Sequence, residues 1–123
     1  MDFGEKRIGL AFGDSRTCIA CPLTTIANDK DFFSKLTNII EEKQITTIVM
    51  GLPRNLNGKE TEQTKRARDF ADQLFKIIKI KVIWQDEAGT TKQVIEEHKG
   101  DIIKGDIDKE VAAIILQDYL NTI

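Results

Sequence analysis

The sequence has few of the residues that most often carry covalent or zinc chemistry. Its 123 residues include one histidine, His98, and two cysteines, Cys18 and Cys21. Catalysis by a serine–histidine or cysteine–histidine pair would depend on His98, which lies in a charged stretch with no nucleophile motif beside it. The Cys-x-x-Cys spacing has no second pair with which to build a zinc site, so we expect two buried structural thiols.

Long apolar runs are also missing. No run approaches the roughly 18 residues that a helix needs to cross a bilayer, and the opening Met1-Asp-Phe-Gly-Glu-Lys6 lacks the basic and apolar regions of a signal peptide. These absences predict a cytoplasmic protein with no membrane partner. With only two prolines, 41% hydrophobic and 31% charged residues, the chain is expected to fold as one domain over residues 1–123.

An excess of positive charge, the usual mark of a nucleic-acid binder, is absent as well. The formal net charge is -2, so any contact with nucleic acid must use a local basic patch. The candidates are Lys6 with Arg7, Arg16, and Arg54 with Lys59. Another basic group is more simply interpreted as one side of a solvated helix, because acids are interspersed with it; it comprises Lys65, Arg66 and Arg68.

The first half of the chain shows strand patterns, then a helix and another strand. Alternation over Arg7–Asp14 and an extended segment over Thr17–Leu23, ending at Pro22, predict antiparallel strands. Helical spacing of apolar residues predicts a helix after Asn28-Asp29, extending to about Lys43. The β-branched run Ile45–Met50 predicts a central strand that is covered on both faces.

The second half alternates helices with one short strand. We predict a helix from about Glu60 to Lys79, a strand over Lys81–Gln85, a helix from Thr90 to about Lys99 and a last helix from about Asp108 to Asn121. The whole order predicts an α/β fold: a mixed β-sheet, antiparallel at first and then parallel, with helices on both faces. Sites in such sheets gather at the carboxyl ends of the parallel strands.

Acidic residues stand at the positions where such a site would form. Asp86 and Glu87 end the Lys81–Gln85 strand and point to opposite faces, so only one of them can face a given site. Asp2 lies in the opening strand region. Asp108 heads an apolar helical stripe that faces the sheet, formed by Ala112, Ile115 and Tyr119; the alternative is that Asp108 is simply the N-cap of its helix.

Converging carboxylates repel one another unless a cation neutralises them. Oxygen ligands without histidine point to Mg²⁺ or Mn²⁺. Such an ion can activate water for phosphodiester hydrolysis without a covalent nucleophile from the protein.

Five segments in order carry a family resemblance that covers nearly the whole chain. They are Asp2-Phe-Gly-Glu-Lys-Arg-Ile-Gly-Leu-Ala-Phe-Gly-Asp14, Ala20-Cys-Pro-Leu-Thr-Thr-Ile26, Ile48-Val-Met-Gly-Leu-Pro-Arg-Asn-Leu-Asn-Gly58, Asp86-Glu-Ala-Gly-Thr-Thr91 and Ile107-Asp-Lys-Glu-Val-Ala-Ala-Ile-Ile-Leu-Gln-Asp-Tyr-Leu120. Together they resemble the YqgF family, whose members are described as pre-16S rRNA nucleases or Holliday junction resolvase-like proteins. The resemblance implies a ribonuclease H-like fold.

It also implies a metal-dependent nuclease acting on structured nucleic acid, with ribosomal RNA maturation as its role and branched DNA as the alternative substrate. The catalytic and metal-binding acids would be Asp2, Glu87 and Asp108, with Mg²⁺ or Mn²⁺. The resemblance thereby selects Glu87 over Asp86. Contacts with substrate are expected from four residues, Arg7, Arg54, Asn55 and Thr90. For the segment around Arg54 a rigid turn is the alternative.

Two departures from the family pattern concern the site. Met1 directly precedes Asp2, where the family has several apolar residues, so we expect the domain to lack the first half of its opening strand and Asp2 to be poorly anchored. Either the true start lies upstream of Met1, or the protein tolerates a weakened site. Ala88-Gly89 replaces the family's Arg-Leu, which removes a cation.

Two other functions compete with a nuclease. One is a catalytically weak or inactive binding module of the same fold. The other is a nucleotide-dependent phosphotransferase, since Asp-x-Gly before a hairpin also resembles the phosphate loop of actin-like ATPases; the chain is too short for the second lobe of such enzymes. A monomer and a homodimer are both compatible with the sequence.

Overall fold

A computed structural model describes residues 1–52, 62–86 and 104–123. The strands are β1 (Asp2–Phe3), β2 (Arg7–Asp14), β3 (Ile19–Ala27), β4 (Thr47–Leu52) and β5 (Lys81–Asp86). The helices are α1 (Phe32–Lys43), α2 (Glu62–Ile78) and α3 (Lys104–Leu120). The predicted helix from Thr90 to Lys99 lies outside the described residues.

The strands form one mixed sheet through the backbone of Met1. β1 pairs with β2 and β2 with β3, both antiparallel, whereas β4 and β5 are parallel. The Met1 amino group donates a hydrogen bond to the Val49 carbonyl at 2.6 Å, and the Gly51 N–H donates to the Met1 carbonyl at 3.1 Å. This slanted pair of bonds is the pattern of parallel strands. It joins the two groups in the order β3-β2-β1-β4-β5, which confirms the predicted mixed sheet.

Helices cover both faces of the sheet, as predicted. On one face Ile8 and Met50 are buried against Phe32 of α1 and Leu74 of α2. On the other face a smaller cluster joins Val49 of β4 to two side chains of α3, Val111 and Ile115. Because strand residues alternate between faces, Val49 and Met50 can serve both cores. β4 is therefore the covered central strand that its β-branched sequence predicts.

β3 continues beyond the predicted end at Pro22 and reaches Ala27. Pro22 lies opposite Ala11, at an irregularity of register between Leu10 and Ala11. β3 is also the outer strand of the described sheet. Proline has no N–H to donate, but bulges and outer strands tolerate it, so Pro22 does not end the strand.

The two cysteines are not the buried thiols that we expected. Cys18 is half-buried in the turn before β3, with a φ of 55°, and Cys21 is exposed on β3. The prediction is wrong because Cys18 lies in a turn rather than in an extended strand, and because Cys21 lies on β3, at the outer side of the described sheet. Both cysteines are unpaired thiols.

Gln117 of α3 ties the helix to the start of β3. Its Nε2 donates a hydrogen bond to the Cys18 carbonyl at 2.8 Å, and its Oε1 accepts one from the Ala20 N–H at 3.0 Å. Both contacts are partly buried. The amide therefore satisfies two backbone groups of a different element.

The Gln117→Ala variant is expected to lower the free energy of unfolding by about 1 to 2 kcal/mol, because it leaves both backbone groups without their partner. Urea denaturation followed by circular dichroism measures the loss. The matched control is Asn121→Ala, which removes only the exposed bond to Gln117 and should cost less than about 0.5 kcal/mol. Equal losses in the two variants would contradict this role of Gln117.

Within the described ranges, no helix combines the length and apolar character needed to cross a membrane.

Candidate active site

Three of the predicted site residues lie in the described part of the chain. Asp2 is in β1, Arg7 begins β2, and Asp108 is in α3. The other four, Arg54, Asn55, Glu87 and Thr90, lie outside the described residues. β4 ends at Leu52 and β5 at Asp86, so the segments that carry these four residues follow the carboxyl ends of the two parallel strands.

Asp2 and the backbone of Asp108 lie on the same face of the sheet, beside Gly9. Asp2 lies opposite Gly9 in the antiparallel pair of β1 and β2, and residues directly opposite each other share a face. A Cβ atom built on Gly9 would run into the backbone carbonyl of Asp108 and lie 2.8 Å from the Lys109 nitrogen. The face that Asp2 shares with Gly9 is thus the face on which α3 packs, at Asp108 itself.

The backbone beside Asp2 is well anchored, contrary to the expectation of a poorly held residue. Met1 is only 6% exposed and is hydrogen-bonded to β4 through both its amino group and its carbonyl. The Phe3 ring packs on the Phe70 ring with centroids 4.8 Å apart. Burial lowers the pKa of the Met1 amino group to about 6, while the nearby Asp2 carboxylate opposes this shift. Asp2 is therefore held between two fixed neighbours.

Asp108 is not an N-cap. α3 begins at Lys104, about one turn before Asp108, so the N-cap interpretation is wrong and the carboxylate is free of that role. Its side chain is 26% exposed and accepts a hydrogen bond from the Arg7 Nε at 3.1 Å. Arg7 lies two residues before Gly9 on β2, so the two residues share a face of the strand. The predicted substrate contact Arg7 is therefore an ion-pair partner of Asp108 in this structure.

The described acids fit a hard divalent cation only in part. No group of three or more His, Cys, Asp or Glu side chains able to hold a metal occurs within the described ranges. Asp2 and Asp108 offer two carboxylates on one face, which is the donor chemistry of Mg²⁺ or Mn²⁺ rather than of zinc. The predicted third ligand, Glu87, lies outside those ranges.

Two residues that matter to this geometry were not singled out from the sequence. Gly9 lets the α3 backbone approach β2, and a glycine inside an alternating strand is a signal of such an approach. Met1 joins β1 to β4 through Val49 and Gly51. No local pattern marks Met1, because both of its partners are distant in sequence.

This mixed sheet with helices on both faces is consistent with the ribonuclease H-like fold predicted from the sequence. The family model named RuvX and described as Holliday junction resolvase matches residues 1–122. The chain therefore belongs to the RuvX family, which is the YqgF family of the predicted resemblance.

Two curated relatives cover essentially the whole chain. A protein of Rickettsia typhi is 38% identical over 130 residues, which span 100% of this chain and 83% of the relative. A protein of Dictyoglomus thermophilum is 36% identical over 132 residues, which span 99% and 93% respectively. Both are named "Putative pre-16S rRNA nuclease". The family and these names support the prediction of an enzyme that hydrolyses nucleic acid.

Proposed function

We propose that this protein is a metal-dependent nuclease that hydrolyses phosphodiester bonds in structured nucleic acid, with the precursor of 16S ribosomal RNA as its substrate in the cytoplasm. The observation that carries the proposal is that Asp2 of β1 and the Asp108 backbone of α3 lie on the same face of the sheet, beside Gly9. This arrangement supports a site to which both β1 and α3 contribute a carboxylate. The family description and the names of the relatives support the reaction class.

The register of the sheet supports Glu87 as the third acid. Val82 and Trp84 pack against the core that α1 and α2 cover. Ile83 lies beside Val49 in the parallel pair, and Val49 packs on α3. Residues separated by an even number of positions share a face of a strand. Glu87 is four residues after Ile83, whereas Asp86 is two residues after Trp84. We therefore propose Glu87, rather than Asp86, as the partner of Asp2 and Asp108.

In this proposal the three carboxylates would hold Mg²⁺ or Mn²⁺, which would supply Lewis acidity toward a phosphodiester and lower the pKa of attacking water. The chain's own residues orient the carboxylates and neutralise charge beside them. Asp2 is fixed by β1 pairing, Asp108 is fixed by α3 and by Arg7, and the burial of neighbouring Met1 excludes water from one side. Arg54, Asn55 and Thr90 are proposed to contact substrate phosphate.

A cleavage assay tests the proposed reaction. The purified protein is incubated with an in vitro transcript that carries the 16S end and its precursor extension, in Mg²⁺, Mn²⁺, Ca²⁺ or EDTA. We expect cutting of the transcript in Mg²⁺ or Mn²⁺ and none in EDTA. Binding of the transcript without cutting in any metal would contradict the nuclease and favour a binding module of the same fold.

A Holliday junction resolvase is the second candidate, since the family description names that activity. A synthetic four-way DNA junction in the same assay separates the two. Resolution requires paired nicks in opposite strands, so it also predicts a two-fold dimer. Faster cutting of the junction than of the transcript would replace ribosomal RNA with branched DNA as the substrate.

The Arg7→Gln variant is expected to raise the Mg²⁺ concentration for half-maximal cleavage by about tenfold, because groups that orient a ligating carboxylate typically contribute that much to metal affinity. Arg7 is a positioning residue here, and a metal titration measures its effect. Arg16→Gln is the matched control: it removes the same charge from an exposed pair with Asp14 in the turn at the other end of β2. An unchanged Mg²⁺ requirement in Arg7→Gln would contradict the positioning role.

A further inference from the structure

The turn between β1 and β2 joins the two strands that carry Asp2 and Arg7. It comprises residues 4–6, so Asp2 lies two residues before Gly4, and Arg7 follows the turn directly. The turn is tight: a Cβ atom built on Gly4 would lie 2.5 Å from the Arg7 carbonyl oxygen. The Gly4 backbone therefore packs on the backbone of Arg7, and a movement of the turn changes the position of Arg7 relative to Asp2.

Asn28, directly after β3, holds both ends of this turn. Its Nδ2 donates a hydrogen bond to the Gly4 carbonyl at 2.9 Å, and its N–H donates one to the Lys6 carbonyl at 2.9 Å. The side-chain bond is partly buried. The turn also carries an ion pair of Glu5 with Arg66, but both of these side chains are exposed, and such pairs contribute little. Asn28 is therefore the firmer restraint on the turn.

The sequence pattern placed Asn28 beside the start of a helix, but the structure gives its side chain a different role. The N-cap of α1 is Asp31, so the Asn28 amide is not used at the helix end. Asn28 also lies outside the five segments that carry the family resemblance, since the second of them ends at Ile26. Its contact with Gly4 is a property of this chain's own sequence.

We propose that Asn28 is a positioning residue for the active site proposed above, on which this inference rests. The restraint passes from Asn28 through the turn to Arg7. Arg7 donates from its Nε to the Asp108 carboxylate at 3.1 Å, so the turn fixes the cation that orients this carboxylate. Groups that orient a ligating carboxylate tune the affinity of a site for its metal. The position requires an amide, because aspartate would place a second acceptor against the Gly4 carbonyl.

The Asn28→Ala variant tests the proposal, because it removes the bond to Gly4 and keeps the backbone bond to Lys6. In the metal-free protein, we expect the Nε proton of Arg7 to exchange with solvent faster by about threefold or more, as measured by NMR. We also expect the dissociation constant for Mn²⁺ to rise about tenfold. The electron paramagnetic resonance signal of the free ion measures this constant, and neither readout involves cleavage.

The matched control is Thr37→Ala. It also removes a partly buried side-chain bond to a backbone carbonyl, from the Thr37 Oγ1 to Phe33 at 2.7 Å, but this bond lies within α1. The control should leave both readouts unchanged. In an Arg7→Gln background, Asn28→Ala should raise the Mn²⁺ dissociation constant by less than about twofold, because its effect acts through Arg7.

Parent-like exchange at Arg7 and parent-like Mn²⁺ affinity in Asn28→Ala would overturn the proposal. Equal changes in Thr37→Ala would do the same, since they would trace the effect to stability. An undiminished loss of affinity in the Arg7→Gln background would show that the effect bypasses Arg7. A parent protein that binds no Mn²⁺ would overturn the proposed metal site itself and this inference with it. A parent that binds Mn²⁺ as tightly as Asn28→Ala overturns this inference alone.

Discussion

Replacing Asp108 with asparagine is expected to lower the rate of metal-dependent cleavage by about 100-fold or more, which corresponds to a loss of about 2.7 kcal/mol of transition-state stabilisation. Asparagine keeps the size of the side chain and one acceptor oxygen for Arg7, but it removes the negative charge that a hard cation requires. The fold should change little, since the Arg7–Asp108 pair is partly exposed and such pairs contribute about 1 kcal/mol or less.

The matched control for this prediction is Asp118→Asn. It makes the same substitution in the same helix, but near the opposite end of α3. Single-turnover cleavage rates of both variants and urea unfolding of both give the comparison. Cleavage by Asp108→Asn within about threefold of the parent rate would mean that Asp108 is not a metal ligand. Equal losses of rate in the two variants would trace the effect to net charge instead.

The elements with strong local patterns were predicted well from the sequence. α1 and β5 were expected within a residue or two of their observed bounds, because apolar spacing and β-branched runs are local signals. The start of α3 was placed too late, at Asp108, since an acid before an apolar stripe resembles an N-cap. The helix in fact continues back through Gly105 to Lys104.

The site was predictable only as a set of acids near strand ends. Asp2 and Asp108 were identified in this way, but the contacts that hold them link residues far apart in sequence. The bond from Arg7 to Asp108 spans 101 positions, and the bond from Met1 to Val49 spans 48. No periodicity encodes such pairs. The choice of Glu87 over Asp86 rested on family resemblance, because no local pattern distinguishes two adjacent acids, and Glu87 lies outside the described residues.

Gly9→Ala is expected to have the largest effect on stability, lowering the free energy of unfolding by about 2 to 4 kcal/mol. The added methyl group would overlap the backbone carbonyl of Asp108 and approach the Lys109 nitrogen to 2.8 Å. Backbone atoms cannot move away by changing a rotamer, so α3 must shift as a unit. The shift would also move Asp108 relative to β1 and β2.

Gly13→Ala is the control, because Gly13 lies on the same strand and the same face. Its added Cβ would lie 3.0 Å from Leu120 Cδ1, 3.1 Å from Leu116 Cδ2 and 3.1 Å from the backbone oxygen of Ile19. None of these contacts is below 3.0 Å, and two of the three are with the ends of flexible side chains, so we expect a loss of about 1 kcal/mol, smaller than that of Gly9→Ala. Urea unfolding measures both variants and should separate them clearly.

Cleavage by Gly9→Ala tests whether the close approach also serves the proposed site. Rates are compared below the melting temperature of the variant, where circular dichroism shows it folded. A displacement of about 1 Å can reduce catalysis up to 100-fold, so we expect a loss of about tenfold or more even in the folded variant. If the folded variant cleaves at the parent rate, Gly9 serves packing alone, and the close approach of the Asp108 backbone to Gly9 would not be required for the reaction.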